Sequence, residues 1–229
     1  MSAVEKNYRH EYKYLISASS AMVLRARLPH FMHRDAHAGA DGRYTIRSLY
    51  FDDQVFTAFY DKAAGVDDRI KYRIRCYDHD TAFIRLERKE KRGDLTRKTG
   101  QTITLADALA LQRREPEGCP DNPQGLTAEL VRQFGAGMAP KVLVDYDRTS
   151  FVCSSGNTRI TLDENLRTRP YCGDLLAPSH PMFPVLEPDQ VVLEVKFDDF
   201  LPGYLSDVLG DIPKAHIAVS KFALCLNLI

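Results

Sequence analysis

The run Arg69-Ile70-Lys71-Tyr72-Arg73-Ile74-Arg75-Cys76-Tyr77 alternates basic and apolar residues through four repeats. In a β-strand successive side chains point to opposite faces. Arg69, Lys71, Arg73 and Arg75 therefore share one face, and Ile70, Tyr72, Ile74 and Cys76 share the other. The apolar face demands a core. The basic face is a row of like charges, tolerable in water or where a polyanion or acidic partners neutralise it.

Other segments repeat the theme. From Tyr8 to Ile16, Arg9, Glu11 and Lys13 alternate with His10, Tyr12 and Tyr14. Phe83, Arg85, Glu87, Lys89 and Lys91 share a face of the next alternating run. Further strands are expected at Tyr44–Phe51 and Lys141–Val152, the latter with Val144, Tyr146, Arg148 and Ser150 on one face. Arg159, Thr161 and Asp163 alternate with Ile160 and Leu162 after a Gly156-Asn157 hairpin turn. Val191–Phe197 places Val192, Glu194 and Lys196 together. Arg97-Lys98-Thr99 reads as a short strand or loop, and Asp53–Lys62 as a helix or irregular turn. Helices are expected after Ser17, from Thr104 to Arg114, over Leu126–Phe134 and Tyr204–Leu209, and from Lys221 to Leu228 behind a Ser220 cap.

The pattern predicts an α+β fold built on about eight mostly antiparallel strands with helices at the periphery and at the C-terminus. A flat sheet would give the charged faces to water. A closed barrel would point them at one another across a polar lumen, which holds one small ligand at this strand number. Crowded cations in a lumen imply a polyanion, and carboxylates among them suggest a divalent metal.

The 229 residues suit a single domain spanning 1–229, and at 44% hydrophobic content they can bury a core. A formal net charge of zero argues against a nucleic-acid-coating protein. No apolar run approaches the length of a membrane span. The five cysteines are scattered without a CxxC, which reads as reduced thiols in a cytoplasmic protein. His33 and His37 lie four apart but read as a histidine-bearing loop, not a metal pair. There is no GxxxxGK[ST], no GxGxxG after a strand and no GxSxG.

The basic candidates are Arg9, Lys13, Lys71, Arg73, Arg75, Lys89, Lys98, Arg148, Arg159, Lys196 and Lys221. Arginine grips phosphate oxygens in bidentate fashion, and lysine acts as a point charge. A chain of phosphates demands such groups from several directions. Glu11, Glu87 and Glu194 are the acidic candidates for Mg²⁺ or Mn²⁺, which on phosphates needs only one or two protein carboxylates. The plainer alternative is that each strand face is solvated and each glutamate pairs with a neighbouring cation. Tyr146 could donate to phosphate or pack in the core. Ser220-Lys221 opens the last helix, where a phosphate end could bind.

These residues resemble the VTC domain, the polyphosphate-polymerase branch of the triphosphate tunnel metalloenzymes. The resemblance runs nearly end to end, through Arg9-His-Glu-Tyr-Lys-Tyr14, Ser48-Leu-Tyr-Phe-Asp52, Lys71-Tyr-Arg-Ile-Arg75 and Leu86-Glu-Arg-Lys89. It continues through Tyr146-Asp-Arg-Thr149, Arg159-Ile-Thr-Leu-Asp163, Leu193-Glu-Val-Lys196 and Ser220-Lys-Phe222. It implies an antiparallel barrel tunnel in which the γ-phosphate of ATP passes to a growing polyphosphate chain with Mn²⁺ or Mg²⁺. By the same resemblance, Lys13, Arg73, Arg75, Lys89, Lys98, Arg148, Arg159 and Lys221 line the tunnel, Glu194 holds the metal and Tyr146 lies beside the phosphates. Some members carry a further lysine where this chain has Ala218. Expected ligands are ATP, triphosphate and inorganic polyphosphate. A tunnel-type triphosphatase, or a module that binds polyphosphate without turnover, uses nearly the same lining and stays open at this stage.

Overall fold

A computed structural model describes residues 9–35, 39, 41–93, 95–115, 124–173, 175–176, 181–216 and 220–229. In chain order the elements are β1 (His10–Ser17), α1 (Ala18–Arg27), β2 (His33–Arg34), β3 (Arg43–Asp52), α2 (Thr57–Ala63), β4 (Arg69–Tyr77), β5 (Ile84–Arg92) and β6 (Leu95–Ile103). Then come α3 (Leu105–Arg113), α4 (Gly125–Gly135), β7 (Ala139–Cys153), β8 (Thr158–Pro170), β9 (Phe183–Pro184), β10 (Gln190–Phe197), α5 (Gly203–Gly210), β11 (Ala215–His216) and α6 (Lys221–Asn227).

Eight long strands form one sheet in the order β1-β10-β8-β7-β3-β4-β5-β6, every neighbour antiparallel. The sheet curls until its two ends meet. Arg9 N–H donates to the Thr96 carbonyl at 3.3 Å, bridging the seam between β1 and β6. The two-residue strands β2, β9 and β11 attach to β7, β8 and β1.

Three apolar clusters hold this shape. One packs α3 and α4 on the outer face of β3–β5 through Phe51, Tyr72, Ile74, Leu86, Leu111 and Leu130. A second packs α1 and α5 on β7, β8 and β10 through Leu24, Phe151, Ile160, Leu193 and Leu205. The third lies on the lumen face: Val142, Val144 and Tyr146 alternate along β7 and meet Tyr50, Leu166, and Phe222 and Cys225 of α6. The C-terminal helix therefore seats inside the barrel rather than outside it. The Phe222 ring is 5.2 Å from that of Tyr50.

The caps follow the sequence closely. Ser17 Oγ accepts from Ser20 N–H at the start of α1. Thr104 and Asp107 form a reciprocal capping box on α3, which ends at a left-handed Arg114. Ser220 is the N-cap of α6 but makes no side-chain cap hydrogen bond. Its hydroxyl instead accepts from Lys71 Nζ at 3.4 Å.

Several expectations need correction. The short strand or loop expected around Arg97 is the nine-residue β6, because every residue from Leu95 to Ile103 finds a partner on β5. β8 runs on past Asp163 to Pro170 by pairing with β7 across a bulge at Asp145/Asp147. Ile70 was placed on the buried face of β4, yet it is 48% exposed. The outer cover begins only at Tyr72. Asp53–Lys62 resolves into a turn and α2, with Asp53 accepting from Val55 and Thr57 N–H. His37, Ala218 and part of the Gly93-Asp94 turn lie outside the described residues.

Candidate active site: a basic tunnel

The lumen contains a cavity of about 730 Å³. All eight long strands and α6 contribute to its wall. Strand alternation delivers Glu11 and Lys13 from β1, Lys71, Arg73 and Arg75 from β4, Glu87 and Lys89 from β5, and Lys98 from β6. Tyr146 and Arg148 come from β7, Arg159 from β8, Glu194 and Lys196 from β10, and Ser220 and Lys221 from the start of α6. Arg9 lies at the seam, with its guanidinium on Asp198 and the Asn157 carbonyl. All sixteen residues singled out from the sequence thus share one cavity. Its wall carries twelve lysines and arginines against six aspartates and glutamates.

The carboxylates are held in two knots of cations, one around Glu11 and Glu194, which share Lys13, and one around Glu87. Glu11 accepts from Lys89 Nζ at 2.8 Å and pairs with Lys13 at 2.9 Å. Glu87, 1% exposed, receives Arg73 at 2.6 Å and Lys98 at 2.9 Å. Glu194 has Lys196 at 3.2 Å, Lys13 at 3.6 Å and Arg148 at 3.7 Å. Burial alone would push these carboxyls up. The surrounding cations overcome it and leave Glu11 and Glu87 well below the usual carboxylate range, with Glu194 lowered as well.

The lysines divide by how much negative charge they meet. Burial lowers Lys13, but Glu11 and Glu194 reverse this and raise it above its ordinary value. Lys89 and Lys98 are each pulled down to about 8, because burial outweighs the one carboxylate beside them. Lys71 is pulled down to about 7 by burial, with Arg69 and Lys89 adding repulsion. It makes no ion pair among the described residues, and its ammonium lies 4.6 Å from the Phe222 ring centroid. Such a set describes a cavity short of anions.

Several contributors escaped the sequence-level selection. Asp163, fully buried, accepts from Arg148 Nε at 2.6 Å and Nη2 at 2.8 Å and pairs with Lys221 at 2.6 Å. It aims both cations. Tyr50 accepts from Arg73 Nη1 at 2.8 Å, Asp35 pairs with Arg159 at 3.3 Å, and Arg85 lines the wall two residues before Glu87. The same alternation that picked out Arg159 and Glu87 also places Asp163 and Arg85. Tyr50 and Asp35 carry no comparable signal. Tyr146 packs in the lumen cluster, and its hydroxyl accepts from Arg75 Nη2 at 3.2 Å.

Among the described residues no three His, Cys, Asp or Glu side chains converge as a metal cage. Glu11 and Glu194 share Lys13 and are both held ionised. Two such carboxylates suit Mg²⁺ or Mn²⁺ that draws its other oxygens from phosphates and water. Glu87 stands apart from that pair, with Arg73 and Lys98 on its two oxygens.

Fold and site together define an antiparallel barrel of the triphosphate-tunnel type with a strongly basic lumen. The VTC domain model matches residues 8–229, and the chain belongs to the VTC domain family. Among solved structures, a Bacillus halodurans protein described as a candidate adenylate cyclase is similar at TM-score 0.52 and 16% identity, covering 90% of this chain and 88% of that one. A Pyrococcus horikoshii protein is similar at TM-score 0.52 and 12% identity, covering 97% and 100%. A chain of the Schizosaccharomyces pombe Mediator head module shares the fold at TM-score 0.50 and 9% identity, covering 92% and 100%. At these identities the likeness is one of fold, so function has to be argued from the lumen. No curated protein sequence matches the chain significantly. None of the helices, searched among the described residues, is long and apolar enough to cross a membrane.

Proposed function

We propose that this protein is an ATP-dependent polyphosphate polymerase. The observation that carries the reading is the charge state of the lumen. Twelve basic groups converge on one cavity, and its buried glutamates are pinned as anions between them. A hydrolase needs a means of activating water, and a general base works best with a pKa near the working pH. The buried glutamates lie far below it and are not that base, which leaves water activation to Lys71, near 7, or to a bound metal. The terminal phosphate of a polyphosphate chain is already an anionic nucleophile and needs no base.

Phosphoryl transfer is largely positioning and charge neutralisation. Arg73 is fixed by Glu87 and Tyr50, and Arg75 by Tyr146, so both guanidiniums stand ready without reorganisation. Arg148 and Lys221, aimed by Asp163, gather with Arg75 around Tyr146 and bind the transferring group. The bond from the γ-phosphorus to its bridging oxygen breaks, a bond to the terminal oxygen of the acceptor forms, and ADP leaves. Lys13, Lys89, Lys98 and Lys196 neutralise the rest of the chain, with Arg159 and Arg9 nearer the rim and the seam. Glu194, supported by Glu11, would hold Mg²⁺ or Mn²⁺, which supplies Lewis-acid neutralisation of phosphate oxygens.

Arg75→Ala is expected to lower turnover of ATP by 10²-fold or more, about what one preorganised donor to a developing charge is worth. Glu194→Gln is expected to remove metal-dependent turnover. Far-UV circular dichroism should match wild type in both. A variant that keeps full activity would remove its residue from the mechanism.

A further inference from the structure

One rim of the tunnel differs in character from the interior. Where β4 ends and β5 begins, Tyr77 and Phe83 flank the connecting turn, and Tyr44 at the start of β3 lies beside them. The ring centroids of Tyr44 and Tyr77 are 6.0 Å apart, and those of Tyr77 and Phe83 5.8 Å. Phe83 is 40% exposed, which is unusual for a phenylalanine that lines a charged cavity. The carboxylates here also behave differently. Asp78 accepts from Thr45 N–H at 2.7 Å and Asp80 from Ala82 N–H at 2.8 Å, and neither makes an ion pair among the described residues. Inside the lumen every glutamate is matched by cations. At this rim two carboxylates are not.

Arg85 also reaches this rim, its guanidinium 5.9 Å from the Phe83 ring centroid. A phosphate chain nevertheless gains little from three aromatic rings and is repelled by two aspartates that make no ion pair among the described residues. A flat, uncharged ring with hydrogen-bond donors suits both features. We infer that the Tyr44–Tyr77–Phe83 rim is the nucleoside subsite: the base of ATP stacks on Phe83 and Tyr77, and Asp78 and Asp80 face its hydroxyl and amino donors. The triphosphate then points inward to Arg75, the next tunnel-facing residue along β4 from Tyr77, and on to Arg73 and Lys71. This fixes the polarity of the substrate, nucleoside at the β4–β5 turn and γ-phosphate deep in the barrel. It also gives the tunnel a means of telling ATP from inorganic triphosphate. The inference rests on the reading of the tunnel as a nucleoside triphosphate site.

The test compares binding of ATP and of inorganic tripolyphosphate, with no turnover required. Stacking on one aromatic ring is worth about 1–3 kcal/mol, or about 5- to 150-fold. Phe83→Ala should weaken ATP by at least fivefold and tripolyphosphate by less than twofold. The chain has no tryptophan, so Phe83→Trp adds a single fluorophore at the rim. Its emission should be quenched by ATP and not by tripolyphosphate. Equal effects of Phe83→Ala on both ligands, or Trp quenching by both alike, would overturn the nucleoside subsite and leave the phosphate tunnel standing. Failure of wild type to bind either ligand would overturn both.

Discussion

At the scale of single residues, the tunnel works by matching charge unequally. Asp163 is the clearest structural case. It sits fully buried between Arg148 and Lys221, and its carboxyl is held far below the ordinary range: burial raises it, and the two cations more than reverse the effect. Asp163→Asn leaves two buried cations short of a partner, which is expected to destabilise the fold by about 3–5 kcal/mol in urea unfolding. The lysines make the opposite case. Lys71 near 7 and Lys89 and Lys98 near 8 are partly neutral in the empty tunnel just above neutrality. Bound phosphate favours their charged forms, so binding takes up protons and affinity falls as pH rises from 7 to 9. The expected loss is up to about tenfold per pH unit for each participating lysine. Titration calorimetry with tripolyphosphate measures it, and Lys71→Met should flatten the dependence near pH 7.

At the scale of elements, legibility followed periodicity. Wherever a strand alternates, its lumen residues could be read directly, which is why Lys71, Arg73 and Arg75 on β4 and Glu87 and Lys89 on β5 fall where expected. Alternation says which face a residue takes, not whether that face is covered, so Ile70 was misplaced at the uncovered start of β4. β6 lacks apolar alternation, since both Thr96-Arg97-Lys98-Thr99 and Gly100-Gln101-Thr102 are polar. Its strand state comes from the β5 ladder alone. The position of α6 was equally hidden. A helix of seven residues carries too few positions to show a face, and nothing local says that Phe222 enters the lumen. Phe222→Ala is expected to cost about 3–5 kcal/mol, typical of a buried phenylalanine, and to loosen Lys221 beside it. A fall in both urea midpoint and tripolyphosphate affinity would show that coupling.

At the scale of the whole molecule, a chain of zero net charge gathers twelve cations around one cavity, leaving the excess of acid for the outside. The empty barrel therefore carries internal repulsion that an anionic ligand relieves. Saturating tripolyphosphate at 100 times its Kd should stabilise the fold by about 2.7 kcal/mol and raise Tm by about 5–10 °C, while sulfate at equal ionic strength should do far less. The buried carboxylates add a second global dependence. Glu11, Glu87, Glu194 and Asp163 all have folded pKa values below their ordinary 4.5 or 3.8. Their stabilisation is complete above about pH 5 and is lost as pH falls through that range and below, so acid unfolding should begin near pH 4. The central claim concerns what the assembled tunnel makes. Purified protein incubated with ATP and Mn²⁺ should give a ladder of polyphosphate on a urea gel, with ADP matching the phosphate incorporated and little free phosphate. Free phosphate without polymer, or no reaction at all, would contradict it.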